Sequence, residues 1–218
     1  MQVNPDIKTP DGIGTASTIV DEKIIFVQVE HDDVSVDDCF LDGRIHSFSR
    51  RHQNFLEDFE FPGSKEECRK ALIKKFGADT AFLSYYEHSG CIWFVEGNGP
   101  PGADCRWDGV SFAGIWVPGT DIKLAARKLK LKAGSADRAK YMEQRASTDC
   151  ETYTFWCNGE VYMYDIAAYM LRRSQSGQAF DRIHDYRFES PVYQDVCGGY
   201  YGWDNLKKGL AEGLANVS

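Results

Sequence analysis

The spacing of apolar positions divides the chain into short strands and a few amphipathic helices. Residues 24–30 predict a first strand. Phe40 and Leu41, then Asp42-Gly43, then residues 44–48 predict a hairpin, because Asp-Gly accepts the positive φ angles of a type I′ turn. Residues 153–157 and 161–166 flank Asn158-Gly159 and predict a second hairpin for the same reason. With Trp156 opposite Val161 and Phe155 opposite Tyr162, both faces of that hairpin are apolar and need cover on each side. Ser64 followed by Glu67 is a capping box, and Cys68, Leu72 and Phe76 continue it at helical spacing until Gly77.

Residues 80–86 and 91–95 predict strands around the turn Glu87-His88-Ser89-Gly90, and residues 110–117 predict another, ended by Pro118-Gly119. Two helices are expected over 121–132 and 136–146, broken at Ala133-Gly134, with Ser135 as N-cap of the second. A final helix carries Leu206, Leu210, Leu214 and Val217 on one stripe, with Gly209 and Gly213 letting it approach a sheet. Hairpins with interspersed helices, without regular strand-helix-strand alternation, predict an α+β fold: a mainly antiparallel sheet with three to four helices packed on it. The organisation expected is an extended arm over 1–20, an acidic β segment over 21–64 and an α+β body over 65–218, with 21–218 allowed to be continuous.

Composition narrows the function classes. The chain has 218 residues, 43% hydrophobic and 13% aromatic, enough to close a core. It shows neither a long apolar run nor a basic, apolar leader, so a cytoplasmic protein without a membrane span is expected. The net charge is -8, and residues 1–64 hold 13 acids against 5 bases. Such a field repels phosphate backbones and attracts basic surfaces, which argues against direct nucleic-acid contact at that end and for a partner protein with a basic surface. Asp32, Asp33, Asp37, Asp38 and Asp42 are the candidate binding residues. Residues 123–145 are locally basic, which makes them the one segment suited to nucleic acid, although a solvated helix face explains them as well.

Seven cysteines without a C-x-x-C pair predict neither a disulfide framework nor a zinc site, and mostly buried thiols are expected. Gly97-Asn98-Gly99-Pro100-Pro101-Gly102 is a poor phosphate cradle, because its prolines remove backbone donors and no Gly-Lys-Ser/Thr follows. The acidic stretch lacks the spacing of a calcium loop. No cofactor or metal is expected.

The candidate chemistry gathers on His88, at a hairpin tip, with Asp108 or Glu87 to orient its ring. Cys197, in Asp195-Val196-Cys197-Gly198-Gly199-Tyr200-Tyr201-Gly202, is the candidate nucleophile. That segment reads as a strand end, a glycine turn and a helix start, where a helix dipole lowers a thiol pKa. Trp107 reads as a core anchor.

Four segments in order, Tyr86-Glu87-His88-Ser89-Gly90, Trp107-Asp108-Gly109 with Gly114-Ile115-Trp116, Gly159-Glu160-Val161-Tyr162, and Asp195 to Gly202, resemble an uncharacterised family of small acidic proteins carried by bacteriophages and other mobile elements. The resemblance spans roughly residues 80–205 and leaves the acidic 64 residues outside it. Glu87 stands where the family has Asp, Gly198 where it has Trp, and Gly109 directly follows Asp108. The resemblance implies a phage or mobile-element product made in a bacterial cytoplasm. Two functions are therefore expected to compete: binding of a host factor through the acidic surface, with inhibition of a defence or nucleic-acid-handling complex, and a small hydrolase or transferase built on His88, Asp108 and Cys197.

Overall fold

The computed structural model describes residues 14–35, 41–99 and 108–217. Among these, in chain order, are β1 (Gly14–Val20), β2 (Lys23–His31), β3 (Gly43–Ser47), α1 (Lys65–Phe76), β4 (Ala81–Glu87), β5 (Cys91–Val95), β6 (Gly109–Pro118), α2 (Thr120–Lys128), α3 (Ala136–Cys157), β7 (Val161–Met170), β8 (Tyr193–Tyr201) and α4 (Trp203–Ala215). The α+β class with antiparallel pairing is as expected, distributed over two four-stranded sheets ordered β1-β2-β7-β8 and β3-β6-β4-β5. The chain divides into two compact units, Met1–Val34 with Gly159–Ser218, and Ser35–Asn158. The boundaries at 20 and 64 read from composition are not those of packing. Residues 14–20 are strand β1, paired along its length with β2, while residue 64 only caps α1.

In the split unit, β2 pairs with β7 from Lys23–Met170 to His31–Tyr162. The stripe predicted for α4 covers one face of this sheet, with Leu206, Leu210 and Val217 buried against Val27, Val29, Tyr164 and Ile166. Gly209 lies where any Cβ would collide with the Tyr200 ring, so the close approach expected of it is real. On the opposite face Ile24, Phe26 and Tyr186 form a smaller core. Tyr186 is fully buried because its hydroxyl donates to Phe180 O (2.8 Å) and accepts from Arg172 N (3.1 Å).

The turn expected at Gly198-Gly199 is instead part of β8. The register shifts between Tyr162–Tyr200 and Tyr164–Cys197, and Gly199 at φ 74° absorbs the extra residue as a bulge. The following helix begins only at Trp203.

In the continuous unit, α3 lays Met142, Ala146, Cys150 and Tyr153 on Leu83, Tyr85, Trp93 and Val95. Leu72 of α1 packs with Leu56 and Ile115, a second cluster of the same unit. Ile115 and Trp116 are successive residues of β6 and both fully buried, so this sheet is covered on both faces. The capping box forms: Ser64 Oγ accepts from Glu67 N (3.3 Å) and Glu67 Oε2 accepts from Ser64 N (2.8 Å). Ser135 caps α3 by accepting from Arg138 N.

Neither predicted hairpin exists in the form expected. Residues 153–157 are the last turns of α3, a helix of 22 residues. Asn158 is its C-cap with φ -86° and ψ 0°, outside the positive-φ region that a type I′ turn requires of both central residues, and only Gly159 (φ 72°) is left-handed. Tyr153 and Trp156 stack at 5.6 Å three residues apart on a helix face, so aromatic residues that favour strands serve the helix here. At Asp42-Gly43 the strand that follows pairs with β6, and the two amides donate to the Asp149 carboxylate at 3.0 and 2.8 Å. Phe40, in the first arm of that hairpin, lies outside the described residues.

Candidate functional site

The β4–β5 hairpin presents the chemistry. Glu87 ends β4, Cys91 opens β5, and they are register partners, so their side chains share a face. The tip between them is closed by His88 N donating to Gly90 O (3.0 Å), with Ser89 left-handed at φ 60°. Strand β6 reaches this tip: Tyr86 pairs with Gly109, and Glu87 N donates to Asp108 O at 2.9 Å. That backbone bond sets Asp108 next to His88, and His88 Nδ1 lies 3.4 Å from Asp108 Oδ2. This is a charge contact longer than a good hydrogen bond, with the His88 side chain 70% exposed. It contributes little to stability, but it sets the carboxylate beside Nδ1 of the ring.

Two open cavities of about 370 and 650 Å³ share His52, Tyr85 and Glu87 as walls. Asp108 borders the first; Cys91, Trp93 and Cys157 border the second. Both volumes suit a small ligand. Burial raises the Tyr85 pKa, reinforced by a hydrogen bond to Glu87, so at neutral pH the phenol is a donor. His52 is pushed below the ordinary histidine value, first by burial and then by Arg51, against an opposing pull from Glu87. Its Nδ1 is 2.7 Å from the buried Ser47 Oγ, and its ring lies against Tyr85 and Trp93 at 5.1 and 5.6 Å. A hydrogen bond with Cys157 lowers the Cys91 pKa against the opposing effects of burial and Glu87. Of the two thiols that line this groove, Cys91 is the one whose pKa is lowered.

Of the three residues expected to act together, His88 and Asp108 are brought together. Cys197 belongs to β8 of the other unit, opposite Tyr164 and packed among that unit's core residues. The helix dipole invoked for it does not apply, because α4 starts beyond the two glycines that follow it.

The acidic candidates also divide. Asp32 Oδ2 accepts from Gly199 N at 2.7 Å and so fixes the bulge of β8, while Asp33 is exposed. Asp42 pairs with Arg145 at 3.1 Å in the continuous unit. Asp37, Asp38 and Trp107 lie outside the described residues, as do Pro100 to Gly102 of the glycine-proline loop. In the basic segment, Arg138 is buried and bidentate on Asp79 (2.6 and 2.8 Å), whereas Arg127, Lys128, Lys130, Lys132 and Lys140 are exposed, as a solvated face would be. Asp149 is the buried carboxylate of this unit, accepting from Asp42 N, Gly43 N and Trp116 Nε1; burial raises its pKa while these donors oppose the rise.

None of the five described cysteines is in a disulfide; Cys68 and Cys150 are buried as expected, Cys91 and Cys197 are half-buried, and Cys157 is exposed. His52, Cys91 and Cys157 were not among the residues singled out from the sequence. Cys91 was within reach of that reading, since a strand pair around residues 88–90 sets it opposite Glu87. Cys157 was hidden by its assignment to a strand, and His52 lies in a segment without periodicity. Among the described residues no group of three His, Cys, Asp or Glu side chains could hold a metal ion, and no helix is long and apolar enough to cross a membrane. Comparison with known proteins finds no matching family model, no matching curated protein and no matching solved structure.

Proposed function

We propose that this protein is a small hydrolase or transferase working in the groove of the Ser35–Asn158 unit, with Cys91 rather than Cys197 as nucleophile. The observation that carries the reading is that one hairpin holds both a histidine set against a carboxylate (3.4 Å) and, at its register-paired base, a thiol with a lowered pKa. In this reading the Cys91 thiolate adds to a carbonyl carbon, His88 gives a proton to the leaving group, and His88 then takes a proton from the water or acceptor that releases the thioester. Asp108 positions His88 in this reading.

The test is a panel of small activated esters and thioesters turned over by the full chain, alongside the alkylation rate of each cysteine. Cys91→Ser is expected to abolish turnover and His88→Ala to lower it about 100-fold or more, with Cys197→Ser unchanged. Cys91 is expected to alkylate fastest at neutral pH. Turnover that survives Cys91→Ser, or a Cys91 no faster than Cys68, overturns the reading.

A second reading rests on the acidic excess in residues 1–64: a phage or mobile-element protein that binds the basic surface of a host factor and inhibits a defence or nucleic-acid-handling complex. With Asp32 and Asp42 engaged within their own units, Asp33 is the exposed candidate among the described residues. Reversal of Asp33, Asp37 and Asp38 to Lys is expected to weaken such a partner and to flatten the salt dependence of its association. Unchanged affinity removes this reading.

A further inference from the structure

The strongest unassigned feature is the meeting of two thiols from elements far apart in sequence. Cys91 opens β5 and Cys157 ends α3, and both line the same open cavity. The surrounding geometry holds them there. Asn158, directly after Cys157, grips the backbone of Cys91 twice: its Oδ1 accepts from Cys91 N at 2.9 Å and its Nδ2 donates to Cys91 O at 3.0 Å. One helical turn earlier, Thr154 Oγ1 accepts from Trp93 N at 2.9 Å. The end of α3 is thus stitched to the start of β5 at two levels, which keeps the backbones that carry the two thiols side by side. Cys157 is exposed and Cys91 half-buried beside an open groove, so a small oxidant can reach them.

We propose that Cys91 and Cys157 form a redox-active dithiol, which closes to an intramolecular disulfide by exchange with a small-molecule disulfide of the glutathione type. In the first step the Cys91 thiolate attacks one sulfur of oxidised glutathione, giving a mixed disulfide and releasing glutathione thiolate. In the second step Cys157 attacks the Cys91 sulfur of that mixed disulfide, expelling a second glutathione thiolate, which takes up the Cys157 proton. Two protein thiols lose two electrons in all, and one glutathione disulfide becomes two thiols. Closure to an S–S bond of about 2.05 Å asks for rotation of the two side chains on backbones that Asn158 already holds together. The pairing goes beyond the hydrolase reading and does not depend on it; if both hold, closure also removes the nucleophile.

The experiment equilibrates the reduced full chain with graded ratios of reduced and oxidised glutathione, quenches with acid, alkylates, and maps peptides by mass. A 91–157 linked peptide is expected to dominate over any link that includes Cys39, Cys68, Cys105, Cys150 or Cys197, with two alkylatable thiols lost together. Cys157→Ser is expected to accumulate glutathione on Cys91, and Cys91→Ser to slow oxidation of Cys157 by about tenfold or more. If Cys91 and Cys157 still alkylate separately at the most oxidising ratio, or if other pairs form as readily, the proposal is wrong. A 91–157 disulfide in a chain without esterase turnover sinks the hydrolase reading alone, and turnover through Cys91 without the disulfide sinks this one alone.

Discussion

The two units are built from the same parts, a four-stranded antiparallel sheet with helices, yet they use their polar side chains differently. In the split unit Tyr164 donates to Asp195 Oδ2 at 3.0 Å inside the packed face under α4, while two other polar groups that reach the interior serve the backbone, Asp32 tying down a bulge and Tyr186 satisfying a strand end and a loop. In the continuous unit one carboxylate, Asp149, does the same, but a second set (His52, Tyr85, Glu87, Cys91, Cys157) gathers around open cavities. The difference follows from how the sheets are covered. Where the end of α3 meets the β4–β5 hairpin beside open cavities, titratable groups lie half-buried and their environment shifts their pKa values.

The contrast can be broken most forcefully at Asp149. Asp149→Ala leaves the buried Trp116 Nε1 and two half-buried amides without their acceptor and is expected to lower the unfolding free energy by about 3 kcal/mol or more, read by urea denaturation. Amide exchange is expected to place the lost protection within residues 35–158; loss spread evenly over both units would contradict the division. The matching lesion in the split unit is Gly209→Ala, which drives a methyl into the Tyr200 ring and is expected to cost about 1–3 kcal/mol. A neutral effect would mean that α4 shifts freely on its sheet.

Ser64→Ala removes the capping bond of α1 and is expected to cost about 1 kcal/mol, measurable in the same urea titration, with no change in thiol reactivity at Cys91. The smallest effect is with pH. His46 and His52 both have pKa values below the ordinary 6.5, burial being the main cause in each. The unfolded chain therefore takes up protons first, and stability is expected to be full above about pH 6.5 and to decline as the pH falls below it. Both histidines lie in the continuous unit, so the decline should be seen there first, and a His46→Gln/His52→Gln double variant should flatten it.

Much of the local structure was legible from particular residues. Ser64 and Glu67 announced α1, Ser135 announced α3, and the Leu206-Leu210-Leu214 stripe with Gly209 announced a helix pressed on a sheet. Each of these signals is satisfied within one or two turns of chain, so no distant partner is needed to read it. The Asn158-Gly159 and Asp42-Gly43 pairs misled because glycine after Asn or Asp serves more than one local structure, and the choice rests with distant contacts. Tyr153 buried against Trp93 keeps its segment helical, and Asp149, 106 residues away from Gly43, accepts from the amides of both Asp42 and Gly43. Half of the candidate site was legible for the same reason. His88 sits on a turn visible in sequence, and Asp108 meets it through β6.

By itself the sequence determined the class of fold, most element positions, the acidic imbalance and the hairpin that carries His88, because these depend on spacing along the chain and on composition. Only the tertiary structure decided which strands pair, where the units divide, and which thiol stands with which. Those outcomes depend on groups from separate elements arriving within a few ångströms of one another, as Asn158 does at Cys91. Short-range contact between chain-distant groups is the quantity that a linear pattern of residues does not carry.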